Sequence, residues 1–136
     1  MMLCAAWPLR AEQVPLLGTV SKVRDGDTLV VERTPVRLQG VAAPERNQPL
    51  GREATRFLRA LVLGREVVCH PDGSRSWDRI VARCYLDGQD LGAALVAAGL
   101  ARDCPRYSGG RYRRLELRAA GEIRIRYRLP SYCRPR

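Results

Sequence analysis

Between Leu16 and Val41 the chain reads LLGTVSKVRDGDTLVVERTPVRLQGV, and this stretch limits the fold more than any other. Apolar and polar residues alternate with a period of two, and turn residues interrupt the run twice. Asp25-Gly26 supplies a hairpin turn between the first two strands, and Arg33-Thr34-Pro35 separates the second from the third. Three short strands in succession commit this part of the chain to a sheet.

The period then changes. In GREATRFLRALVL, Gly51 to Leu63, the residues Ala54, Phe57, Leu58, Leu61 and Val62 fall at helical spacing, and Gly64 ends the run. REVVCH and RIVARCYL form a second strand pair around the loop PDGSRSWD. A short helix follows in DLGAALVAAGL, apolar at Leu91, Ala94, Leu95 and Ala98. After CPRYSGGRY a third helix is expected from about Arg111 to Ala120, followed by a basic tail. Five short strands, an inserted helix and two terminal ones predict an α+β, mainly β fold: a small five-stranded OB-type barrel with three helices packed on it. The expected organisation is a leader remnant over residues 1–11, one domain over 12–122, and a basic tail over 123–136 packed on that domain.

With 136 residues and 46% hydrophobic content the chain suits one domain with a real core, and the composition argues against disorder. The balance of 24 Lys+Arg against 14 Asp+Glu gives a net charge of +10. Lys22 is the only lysine, so arginine carries nearly all of that charge. Arginine clamps phosphate through two parallel N–H groups where lysine offers a point charge, so a polyanionic partner, nucleic acid before membrane, is the natural inference. No stretch has the ~18 apolar residues of a spanning helix, so stable membrane insertion is not expected.

The opening MMLCAAWPLRAEQ reads as the end of a secretory leader, with Leu9-Arg10-Ala11 a candidate cleavage site, and it predicts export to the periplasm or the extracellular space. Without Cys4, the cysteines number four: Cys69, Cys84, Cys104 and Cys133. Cys69 and Cys84 lie opposite each other if their two strand runs pair, which predicts a Cys69–Cys84 bridge and, by elimination, Cys104–Cys133. Buried free thiols in a cytosolic protein are the alternative. With no CxxC pair and His70 the only histidine, a zinc site is poorly supported.

Four clusters carry chemistry. In DGDT, Asp25 to Thr28, two carboxylates on a tight turn offer hard oxygen ligands to a cation, although Asp-Gly turns form without one. Arg37 lies within an apolar strand, where it either serves a site or points outward on the polar face. Glu45 follows Pro44 where that strand leaves into a loop. Trp77-Asp78-Arg79 leads into the strand IVARCYL.

Taken in order, DGDT, VRLQGVAAPE, a helix, an aromatic-x-Arg entering a strand and then LVAAGLA resemble the staphylococcal nuclease family from about Gly18 to Tyr107. The resemblance implies an OB barrel with three helices that hydrolyses phosphodiesters in DNA and RNA with calcium, leaving 3′-phosphate ends. It implies that Arg37 and Arg79 clamp the phosphate and that Glu45 acts on the attacking water as general base or orienter. Asp27 would be a direct metal ligand with Asp25 close behind it, and Ala43 would offer a backbone carbonyl. Thr28, Trp77 and Tyr107 would lie on the substrate side, Trp77 in place of the family's tyrosine.

The chain departs from the family at Ala42, where an aspartate ligand is usual. Calcium affinity follows ligand charge, so weaker calcium binding is expected, with magnesium or manganese as alternatives, and Ala42→Asp should tighten calcium. Arg75 likewise stands where the family has an acid. A non-catalytic OB module that binds single-stranded nucleic acid is the competing reading. A third is a cationic protein acting on anionic surfaces, since the chain from Arg102 onward holds eleven arginines against three acids.

Overall fold

The computed structural model describes residues 4–6, 14–119 and 121–136. Apart from residues 4–6, the leader expected over 1–11 lies outside the described residues. The first strand, β1 (Leu16–Asp25), shifts register at Val20/Lys22 and again at Val23/Asp25. Such bulges bend a strand, which lets β1 pair with different partners at its two ends. Leu16 to Thr19 pair with β5 (Glu66–Ser76), and Val20 to Asp25 pair with β2 (Thr28–Val31).

Strand β2 continues into β3 (Thr34–Leu38) in antiparallel register, Thr28 opposite Arg37. The other edge of β3 pairs in parallel with β6 (Arg79–Leu86), Val36 opposite Ile80 and Leu38 opposite Ala82. Because β6 also pairs with β5, the five strands join edge to edge in a ring. The five-stranded OB-type barrel is therefore formed, and closure leaves those strands no long free edge. Its interior is filled by Val20, Val23, Leu29, Val31, Val36, Leu38, Val67 and Ala82, together with Cys69 and Cys84. Short pairs complete the sheet structure: β4 (Val41–Ala42) with β8 (Arg102–Asp103), and β7 (Gln89–Asp90) on β6.

Helix α1 (Gly51–Val62) buries Ala54, Leu58 and Val62 on the barrel, as its spacing predicts. Its close approach depends on Gly26, where an added Cβ would lie 2.7 Å from the Ala54 Cβ and 2.9 Å from that of Ala43. Helix α2 (Leu91–Ala97) is capped by Asp90, whose Oδ1 accepts from the Ala93 amide at 3.2 Å. The other oxygen of Asp90 accepts from the Tyr112 hydroxyl at 2.8 Å, which fixes the chain just before α4 (Arg113–Arg118). Burial and this bond together raise the Tyr112 hydroxyl well above its ordinary pKa.

Four details differ from the sequence reading, the first being that the turn between β2 and β3 is Glu32-Arg33, with Thr34 and Pro35 already in β3. The turn between β1 and β2 is Gly26-Asp27, one residue further on, with Asp25 opposite Thr28. The expected loop PDGSRSWD belongs largely to β5, which continues to Ser76 through a bulge between Pro71 and Arg75 before a Trp77-Asp78 turn. Asp72 absorbs that bulge by accepting from the Ser74 amide at 2.8 Å. Besides the three expected helices the described residues include the single turns α3 (Pro105–Ser108) and α5 (Ile123–Arg126) and a 3-10 turn at Ser131–Cys133. Four-residue turns are too short for helical periodicity to register.

Both expected disulfides are present. Cys69 and Cys84 are direct cross-strand partners on β5 and β6, and Cys104 bonds to Cys133. The second bridge nucleates a separate apolar cluster of Ala42, Cys104, Ile123, Tyr127 and Cys133. Closing a loop of 29 residues restricts the unfolded chain. Replacing Cys104 and Cys133 together by serine is expected to lower stability by about 2–4 kcal/mol in urea unfolding. A loss below about 0.5 kcal/mol would show that the tail contributes little to the fold.

Candidate active site

Asp27 organises one end of the barrel. It stands at the β1–β2 turn, where the chain cannot bury a carboxylate without partners. The Oδ1 atom accepts from the Thr28 hydroxyl at 3.2 Å. The Oδ2 atom accepts from the Ala43 amide at 3.1 Å and lies 3.2 Å from Arg37 Nη1. The Asp27 side chain is only 11% exposed and that of Arg37 12%, so the pair is shielded from water. Burial pushes the Asp27 carboxyl up to about 6, against the pull of Arg37 and with Asp25 adding to the rise. Burial thus disfavours the charged carboxylate in spite of its partners.

Arg37 is held by more than this pair. Its Nη1 donates to the carbonyls of Leu38 at 3.0 Å and Val41 at 2.9 Å, which spends that nitrogen on the backbone. The Nε and Nη2 groups remain, and Nη2 lies 3.5 Å from the Tyr132 hydroxyl. Arg79 enters from the start of β6, with Nε on the Ser76 carbonyl at 3.1 Å, Nη2 on Ser76 Oγ at 2.8 Å and Nη1 on Thr28 Oγ1 at 2.9 Å. Both guanidinium planes are therefore set before any ligand arrives, and each keeps N–H groups free.

Glu45 is exposed on the loop between β4 and α1. The loop is wound tightly: the Glu45 amide donates to Gln48 Oε1 at 2.8 Å, and the Glu45 carbonyl accepts from the Gln48 amide at 2.9 Å. A Cβ at position 51 would overlap the Glu45 carbonyl, so Gly51 is required for the loop to close on the helix start. Nothing in the sequence reading marked Gly51, because its role depends on a backbone segment six residues away.

These groups share a cleft of about 940 Å³. Asp25, Asp27, Arg37, Ala43, Glu45, Trp77, Arg79 and Tyr107 all line it, so eight of the nine residues singled out from sequence meet there. The ninth, Thr28, does not reach the surface; at 1% exposure it links Asp27 to Arg79 from beneath. Trp77 stands at the hairpin tip, 92% exposed with a φ of 59°, a left-handed conformation that bulky residues rarely take. Tyr107 is half-exposed under the Arg106 guanidinium and is tied through its carbonyl to Gln39 Nε2 at 2.6 Å.

The tail contributes a wall that sequence reasoning missed. Tyr127, Arg128, Tyr132 and Arg134 line the cleft. The Tyr127 hydroxyl donates to the Ala43 carbonyl at 3.3 Å, and burial raises its pKa above the ordinary tyrosine range. The only hint in the sequence was the recurrence of Tyr and Arg in the tail, which resembles any solvated basic segment.

Few oxygen ligands are available here to a hard divalent cation. Asp25 and Asp27 offer carboxylate oxygens and Ala43 a carbonyl, while residue 42 offers none and packs with Cys104, Ile123, Tyr127 and Cys133. Among the described residues no group of three His, Cys, Asp or Glu side chains is arranged to hold a metal.

The structure is an OB-type barrel with two oriented arginines beside carboxylates at one end. The family model described as "Staphylococcal nuclease homologue" matches residues 35–122, and the chain belongs to that family. A protein of Escherichia coli named "Uncharacterized endonuclease" is 32% identical over 101 residues, covering 71% of this chain and 65% of its own. "Probable endonuclease LCL3" of Phaeosphaeria nodorum is 32% identical over 133 residues, covering 88% and 45% respectively. An "Uncharacterized endonuclease" of Haemophilus influenzae is 31% identical over 94 residues, covering 65% and 53%. The chain thus spans between 45% and 65% of the length of these relatives.

Residue 42 gives a direct test of the cation site. Ala42→Asp puts a carboxylate into an apolar cluster and is expected to lose about 1–3 kcal/mol in calcium-free buffer. Calcium should then raise the unfolding midpoint of the variant more than that of the wild type, because a ligand stabilises the state it binds. Equal calcium shifts in thermal unfolding would place residue 42 away from the cation.

Proposed function

We propose that the protein is a nuclease that hydrolyses phosphodiester bonds of DNA, and of RNA as a second substrate, by attack of water on phosphorus. The convergence of Arg37, Arg79, Asp27 and Glu45 on one cleft carries this reading. Membership of the family and the endonuclease names of the relatives support it.

In this reading the free N–H groups of Arg37 and Arg79 bind the non-bridging oxygens of the scissile phosphate. Their planes are held by backbone carbonyls and by Ser76 and Thr28, so little reorganisation is needed as charge develops. Glu45 accepts a proton from the attacking water, for which an exposed carboxylate without an ion pair among the described residues is suited. The bond from phosphorus to the 5′ oxygen breaks, leaving a 3′-phosphate and a 5′-hydroxyl. A divalent cation, calcium with magnesium or manganese as alternatives, would be held by Asp27, Asp25 and the Ala43 carbonyl, and when bound supplies positive charge against the phosphate oxygens. Trp77 and Tyr107 offer exposed ring faces to the bases.

Residues 12–122 are taken as the catalytic domain and 123–136 as a basic tail belonging to it. Two disulfides support an oxidising compartment, periplasmic or extracellular. Among the described residues no helix is long and apolar enough to cross a membrane.

Plasmid and single-stranded DNA, each with calcium, magnesium, manganese or chelator, should be degraded in at least one metal. Arg79→Ala should cost on the order of 10²–10³-fold in kcat, and Glu45→Ala/Arg79→Ala should abolish cleavage. Tight, salt-sensitive binding without cleavage by the wild type would instead identify a binding module.

Trp77→Gly separates function from stability. Glycine accepts the left-handed backbone, so stability should stay within about 1 kcal/mol, whereas KM for DNA should rise. An unchanged KM would remove Trp77 from the substrate path.

A further inference from the structure

The residues matched to the family end at 122, yet the cleft continues onto the chain beyond them. Residues 127–134 reach it because three buried anchors hold the tail down: Ile123, Tyr127 and the disulfide-bonded Cys133. Arg102 adds a further tie, donating from Nη1 to the Tyr127 carbonyl at 3.2 Å and from Nε to Glu116 at 3.2 Å. The tail is therefore a fixed wall, and among the side chains it presents to the cleft are Arg128, Tyr132 and Arg134.

The two arginines differ from those of the catalytic centre. Arg37 and Arg79 spend most of their N–H groups on the protein. Arg128 and Arg134 are exposed, and among the described residues neither forms an ion pair or a side-chain hydrogen bond. Holding two uncompensated guanidinium groups on one wall costs electrostatic energy that an anion would offset. Tyr132 connects this wall to the centre, its hydroxyl 3.5 Å from Arg37 Nη2.

We propose that Arg128 and Arg134 form a second phosphate subsite, which binds a backbone phosphate next to the scissile one and is built by the Cys104–Cys133 bridge. This rests on the nuclease reading for the identity of the ligand and adds a specificity element outside the family's matched region. Its consequence is a preference for chains of several phosphates over a single phosphodiester.

Two arms test it. In the first, a fluorescent single-stranded phosphorothioate 12-mer is titrated in chelator at several salt concentrations, so that binding is read without cleavage. Arg128→Ala/Arg134→Ala should weaken binding on the order of tenfold at low salt and flatten the salt slope by about 1.4, two contacts at ~0.7 each. Arg113→Ala/Arg114→Ala removes equal charge from α4, outside the cleft, and should change binding much less. Equal losses in the two double variants, or no loss in the first, would overturn the subsite.

The second arm compares kcat/KM for a dinucleoside monophosphate and for an oligonucleotide. The Arg128→Ala/Arg134→Ala variant should lose on the oligonucleotide alone; an equal loss on both would put these arginines at the scissile phosphate and overturn the proposal. If the wild type cleaves neither substrate while the first arm behaves as expected, the subsite stands and the nuclease reading falls.

Discussion

The Asp27 carboxylate is the point on which this end of the molecule turns. It is buried and shared by the Thr28 hydroxyl, the Ala43 amide and the Arg37 guanidinium, so it ties the β1–β2 turn to β3 and to the exit from β4. Such a group tolerates little change, because removing any partner leaves buried charge without compensation. Arg37 in turn fastens the Leu38 and Val41 carbonyls, and through Thr28 the same carboxylate is coupled to Arg79. Arg37 on β3 and Arg79 at the start of the neighbouring β6 are thus linked through one buried acid.

Ring closure makes that arrangement possible. The parallel pairing of β3 with β6 is the one contact that turns a bent sheet into a barrel, and it sets Arg37 opposite Val81, two residues beyond Arg79. Glycine does comparable work at the mouth. Gly26 lets α1 approach the acidic turn, and Gly51 lets the Glu45 loop close on the start of the same helix. The cleft is therefore as much a product of close backbone approach as of charged side chains.

Much of this was readable in advance. Period-two alternation and turn residues located the barrel strands, and period 3.6 located α1 and α2, because burial of one face imposes those patterns. Facing strands made Cys69–Cys84 an expected bridge, and counting left Cys104–Cys133. Eight of the nine residues chosen for the site line one cleft, since motif order records which strand ends share a rim. Thr28 was legible as part of the motif but not as a buried link, because its burial depends on remote segments such as the start of β6, where Arg79 donates to its hydroxyl. The length of β5 was missed because a bulge hides a strand inside a loop-like composition.

The sequence alone determined the fold class, the disulfide partners and the identity of the groups that meet at one end of the barrel. It did so because those properties rest on local periodicity and on the order of motifs along the chain. Only the tertiary structure decided which of those groups reach the surface, what surrounds Ala42, and that residues 127–134 wall the cleft. Those outcomes depend on packing between segments remote in sequence. Cys133 reaches Cys104 across 29 positions, and the Tyr127 hydroxyl meets the Ala43 carbonyl across 84, separations over which no local pattern reports contact.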